Sequence, residues 1–120
     1  MKRRSMLVFL VLAPSAAFAA DFSGTWRLDN LFNGQSAIIT CTLVQRDNAL
    51  SGTCKPAIPN IPPSDLRGTV DGVTAKWGYD VVFNGNPARI DYVAELAADG
   101  TLKGNVLRNG MPSPITGAKQ

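Results

Sequence analysis

From residue 66 to residue 106, apolar and polar residues alternate almost without interruption, and two- or three-residue turns cut the run into segments. An extended chain shows successive side chains to opposite faces, so this pattern describes strands with one wet and one buried face. The short turns then decide which residues stand opposite one another, because a one-residue slip would turn a whole strand inside out. With Asn84-Gly85 as a two-residue turn, Trp77 faces Tyr92, Tyr79 faces Ile90 and Val81 faces Ala88, while Asp80 meets Arg89 outside. A three-residue loop, Ala98-Asp99-Gly100, sets Leu96 against Leu102, Ala94 against Gly104 and Tyr92 against Val106, with Glu95 beside Lys103. Asp71-Gly72 as a turn sets Val70 against Val73, Gly68 against Ala75 and Leu66 against Trp77, and places Arg67 beside Lys76. Asp47-Asn48 as a turn brings Cys41 opposite Cys54 and Leu43 opposite Gly52. Two opposite-charge pairs thus emerge from registers chosen on hydrophobic pattern alone.

Glycines and prolines punctuate short runs rich in Val, Ile, Thr and aromatic residues, and helical spacing is nowhere sustained. Eight strands are expected near 22–29, 36–45, 49–55, 66–70, 73–83, 86–97, 101–108 and 112–118. A weak repeat runs through them: Phe22-Ser23-Gly24, Leu50-Ser51-Gly52, Leu66-Arg67-Gly68, Leu102-Lys103-Gly104 and Ile115-Thr116-Gly117. Each puts an apolar residue and a glycine on the same inward face. Glycine weakens a strand interior, so the repeat implies strong coiling and room for large inward aromatics. The predicted fold is all-β: an eight-stranded antiparallel up-and-down meander barrel with one cross-strand disulfide, Cys41–Cys54. A barrel of that size is filled by side chains or holds one small ligand. A two-sheet sandwich is the alternative.

The first nineteen residues read as a cleaved export signal, leaving 20–120 as a single β-barrel domain. Lys2, Arg3 and Arg4 form a positive start, residues 6–12 an apolar stretch, and Ala17-Phe18-Ala19 a cleavage site. The apolar stretch is too short for a membrane anchor. Twelve Lys and Arg stand against nine Asp and Glu, but three of those bases lie in the leader, and the remaining charges balance. No argument for nucleic acid survives. A periplasmic or secreted protein is expected, where paired thiols oxidise.

Catalysis finds no constellation. Without histidine, and with both thiols paired, the common nucleophilic triads are impossible and a metal set is incomplete. Asp80, Asp91 and Glu95 fall on the outer wall. No enzyme, metal or cofactor is expected. Trp26, Trp77, Tyr79, Phe83 and Tyr92 all point inward in this scheme, as a packed aromatic core or as an aromatic ligand pocket. Residues 56–63 carry four prolines and serve as a rigid spacer, a lid or a partner-docking surface.

Gly24-Thr25-Trp26 at the start of the first strand resembles the opening GxW of the calycin barrels, which include lipocalins and avidins. Residues 48–54, the connection holding Ala57 and Asn60, and Leu66-Arg67-Gly68-Thr69 resemble the second to fourth strands of streptavidin-type proteins. The resemblance implies a ligand lid over residues 55–65 and a ligand contact at Asn60. Cys54 stands where that family has a pocket tyrosine. A second likeness is to small exported bacterial metalloprotease inhibitors, barrels with a GxW strand and one disulfide.

The expected function is a non-enzymatic binding module for a small apolar or aromatic ligand at one barrel end, contacted by Trp26, Trp77, Tyr79, Tyr92 and Asn60. The alternative is a protein-interaction module, such as a periplasmic protease inhibitor acting through the proline-rich loop 56–65 on a protein partner.

Overall fold

A computed structural model describes residues 20–32 and 34–120; the expected export signal, residues 1–19, lies outside them. Eight strands follow one another: β1 (Gly24–Phe32), β2 (Gln35–Arg46), β3 (Ala49–Pro56), β4 (Ser64–Asp71), β5 (Thr74–Phe83), β6 (Asn86–Leu96), β7 (Leu102–Arg108) and β8 (Met111–Lys119). Each pairs antiparallel with its neighbour in sequence, and β8 returns to β1, closing the sheet into a barrel. Closure rules out the sandwich. It is also the architecture of a calycin-like barrel.

Two ends follow from the meander. The lower end carries the β2–β3, β4–β5 and β6–β7 turns together with residues 20–23. The upper end carries the β1–β2, β3–β4, β5–β6 and β7–β8 connections.

Three of the four hairpin registers argued from turn chemistry hold as expected. Trp77 faces Tyr92, Val81 faces Ala88 and Asp80 faces Arg89, around a turn whose Asn84 and Gly85 both have positive φ. Leu96 faces Leu102 and Tyr92 faces Val106. Cys41 faces Cys54 and the two are disulfide-bonded.

The β4–β5 hairpin departs by two residues. Val70 faces Ala75, not Val73, Gly68 faces Trp77, not Ala75, and Arg67 faces Gly78, not Lys76. The loop is Gly72-Val73, with Gly72 at φ 61° in the first position, where a type II′ turn calls for glycine. A shift of two keeps every side chain on its expected face. It also separates Arg67 from Lys76, removing the one like-charge pair the other register would have imposed. Val73, set free in the turn, is exposed.

Glycine accounts for the close approach of neighbouring strands. A Cβ at Gly68 would overlap the Lys76 carbonyl oxygen and lie 2.7 Å from the Cβ of Trp77. Gly52 and Gly104 meet the carbonyls of Thr42 and Val93 in the same way. The repeat therefore marks places where one backbone runs against another, which lets Trp77 fill the space above Gly68.

The core these faces enclose includes Trp26, Leu28, Leu43, Leu66, Trp77, Tyr92, Leu102 and Val106, each at most 2 % exposed. Phe83, expected inward, is instead 41 % exposed. It ends β5 at the upper turn, beyond the last β4–β5 pair, Arg67↔Gly78, so that β6 flanks it on one side and β4 no longer does on the other.

Two stability measurements follow. Gly68→Ala should destabilise by about 3 kcal/mol in denaturant titration, the upper range for overpacking, whereas Gly34→Ala, with open space around it, should cost about 1 kcal/mol through its positive φ alone. Equal losses would show that strand approach at Gly68 is not the constraint. Replacing Cys41 and Cys54 together by serine should cost about 3 kcal/mol, the loop-entropy value for a closure of this size.

Candidate functional site beneath the upper end

The two barrel ends are built differently. At the lower end Ala20 N donates to Gly72 O at 3.0 Å, and Phe22 N donates to the Gln45 side-chain oxygen at 2.7 Å. These bonds hold Phe22, fully buried, across the barrel floor, where its carbonyl accepts from the Trp26 indole at 2.9 Å. Lys119 covers the outer side of the Trp26 ring at 5.5 Å. The lower end is thus sealed by the residues that precede β1.

Alternation along the strands builds a different layer at the upper end. On β1 the inward series Trp26, Leu28 continues to Asn30, and on β7 the series Leu102, Gly104, Val106 continues to Arg108. Arg108 Nη2 donates to Asn30 Oδ1 at 2.7 Å. Across the layer the Tyr79 and Tyr92 hydroxyls share a 2.8 Å hydrogen bond. Trp77 stacks on Tyr92 with centroids 5.2 Å apart, and Tyr79 tilts against Tyr92 at 5.9 Å. An aromatic ladder below therefore meets a polar layer above.

Two buried donors in this region have no acceptor among the described residues. A guanidinium can only donate, so the Asn30 oxygen faces it and the amide nitrogen is turned the other way. That nitrogen and the Trp77 indole nitrogen are buried without a hydrogen-bond partner among the described residues. Of the two tyrosine hydrogens, one is used in the pair and one remains.

Two depressions mark the surface near these elements. One, about 390 Å³, lies on the outer wall of β2 and β3 between Thr40, Thr42, Thr53 and Lys55 and the ends of the β3–β4 connection. The other, about 230 Å³, lies in the seam between β1 and β8 and is lined by Asp29, Asn30, Leu31, Pro114, Ile115 and Thr116. The pairing of β1 with β8 ends at Asn30↔Ile115, and the next residue of β8 toward the upper end is Pro114, which has no N–H to extend it. The seam opens where the proline stops the ladder.

Of the expected contact residues, the structure brings Trp77, Tyr79 and Tyr92 together. Trp26 sits apart from them at the sealed end. Asn60 is exposed on the β3–β4 connection with φ 69°. Asn30 and Arg108 were not among the expected residues, although the inward series on β1 and β7 lead directly to them. No protein-family model, curated protein or solved structure matches this chain.

Burial raises both tyrosine hydroxyls above their ordinary value near 10, desolvation being the largest cause in each; the charge of Arg108 pulls the other way. Unfolded tyrosines lose their protons near pH 10, so there the unfolded chain binds fewer protons and stability falls as pH rises. The expected slope is about 1.4 kcal/mol per pH unit for each tyrosine. Because the chain has only two tyrosines, phenolate absorbance should stay flat past pH 10 and rise only as the barrel melts. Tyr79→Phe should roughly halve the slope. A phenolate signal near pH 10 with intact circular dichroism would contradict this burial.

Proposed function

We propose that this protein is a non-enzymatic, exported binding module that takes a small apolar or aromatic molecule at the upper end of its barrel. The observation that carries this reading is the asymmetry of the ends. Phe22 and its hydrogen-bonded neighbours close one end, whereas at the other the β1–β8 seam parts beside a partly polar inner layer. Pockets of this kind combine apolar walls with a few directed polar groups. Leu31, Pro114 and Ile115 supply the walls, and the Trp77, Tyr79 and Tyr92 ladder supplies the rigid support underneath. Trp26 acts on the sealed end. The disulfide fits an oxidising compartment, which supports export through the leader at 1–19. The avidin-like resemblance adds the 55–65 connection as a lid, with Asn60 as its polar contact.

Ser113 offers the test. It lies on the inward face of β8 at the upper end, opposite Val106, and is half-buried. Ser113→Trp should fill the mouth and weaken binding of 2-naphthamide at least tenfold, read by native mass spectrometry or fluorescence titration. Val73→Ser, at the lower turn, should leave binding unchanged. Binding that persists in Ser113→Trp would place the ligand elsewhere and sink the proposal.

A second reading is favoured by a separate observation. Leu31, Ile58, Val82, Phe83 and Met111, all at the upper end, are among the exposed large apolar residues, which suits contact with a protein partner, as in protease inhibition. Inhibition of a metalloprotease that survives Ser113→Trp and is lost in Ile58→Ser, Ile61→Ser would support that reading instead.

A further inference from the structure

The inner layer at the upper end holds a buried amide donor with no acceptor among the described residues, beside a cation. Asn30 is 2 % exposed, its oxygen is committed to Arg108, and its amide nitrogen has no partner among the described residues. A buried amide N–H without an acceptor is costly, so its retention beside a guanidinium asks for a ligand oxygen. The Tyr79–Tyr92 pair has one hydroxyl hydrogen to spare, and Arg108 lies close enough for its charge to act on both hydroxyls. Asn30 also lines the seam depression, whose remaining walls include Leu31, Pro114 and Ile115. Its volume, about 230 Å³, suits a ligand of one or two rings.

We infer that the upper site selects an aromatic or apolar monocarboxylate, with its carboxylate directed inward to Arg108 and the Asn30 amide and its ring in the β1–β8 seam. This rests on the reading of the upper end as the ligand end, and it adds the chemistry of the ligand's head. A carboxylate suits this set because it brings charge for the guanidinium and acceptor oxygens for the unpartnered amide N–H. Asp29 also lines the seam, on the outward face, where it accepts from the Ser36 hydroxyl at 2.6 Å. Its charge disfavours the reverse pose, with the ligand's carboxylate outward.

The experiment compares three probes on the oxidised protein: 2-naphthoate, 2-naphthamide and 2-naphthyl phosphate, each titrated by calorimetry at fixed salt. The expected result is that naphthoate binds at least tenfold more tightly than naphthamide and than naphthyl phosphate. Arg108→Met and Asn30→Leu should each shrink the naphthoate preference over naphthamide to within threefold. The parent comparison stands by itself should either variant fail to fold. Equal binding of naphthoate and naphthamide would overturn the carboxylate assignment, and so would tighter binding of the phosphate or a preference that survives Arg108→Met. If those results came with naphthamide binding that Ser113→Trp abolishes, the ligand end would stand and only the head-group assignment would fall. Absence of binding by all three probes would overturn both.

Discussion

The whole barrel depends on parity: an extended chain sends alternate side chains to opposite faces, and the turns keep that alternation in step from one strand to the next. Once Cys41 faces Cys54 and Trp77 faces Tyr92, the inward set of each strand is determined. The sheet can then curl only with its apolar face inside. Small residues make the curl tight. Gly52, Gly68 and Gly104 stand where a Cβ would strike a neighbouring carbonyl, so the strands come closer at those points than side chains would allow. Trp77 and Tyr92 occupy the volume gained and stack, filling with aromatic rings a cylinder that aliphatic residues alone would fill less completely.

The same parity explains where the barrel is weak. A closed sheet has no free edge as long as every ladder runs its full length. Here β4 and β5 part after Arg67↔Gly78, and β8 parts from β1 after Asn30↔Ile115. Both separations are at the upper end. Pro112 and Pro114 lie on the freed part of β8, and without N–H groups they limit its pairing with another chain. The lower end shows the opposite treatment, with Phe22 and Trp26 locked by side-chain and backbone hydrogen bonds. The floor is therefore closed by hydrogen bonds, while the ladders part at the opposite end.

Much of this was legible from residue types, and the misses have physical causes. Three hairpins could be registered because Asn84-Gly85, Asp47-Asn48 and Gly100 mark their loops unambiguously. The fourth could not, since Asp71-Gly72 and Gly72-Val73 put the same side chains on the same faces and differ in the cross-strand partners and in the backbone angles asked of Asp71. The deciding contact, Gly68 against Trp77, is a matter of backbone approach that hydrophobic pattern does not record. Phe83 reads inward by parity, but parity says nothing of how far the neighbouring strand extends. The aromatic members of the site were legible for the same reason the core was. Arg108 closes the expected strand 101–108, where parity alone does not mark a charged residue as part of a site. Asn30 was passed over because the first strand was expected to stop at 29, whereas β1 continues through it to Phe32.

That continuation is the most consequential feature of the molecule. A barrel this narrow gains stability from apolar side chains at every inward position, and a buried amide with an unpartnered nitrogen is seldom the more stabilising choice. Replacing Asn30 by an aliphatic residue of similar volume would remove the unpartnered amide nitrogen. Folding alone gives no reason for the polar pair, since the strands are already registered by their turns and the disulfide. The pair is also placed where the β1–β8 ladder stops, not at the sealed floor. On the proposed reading of the upper end, a ligand oxygen offsets the cost of this polar pair, and the Trp77–Tyr92 stack lies beneath it as support.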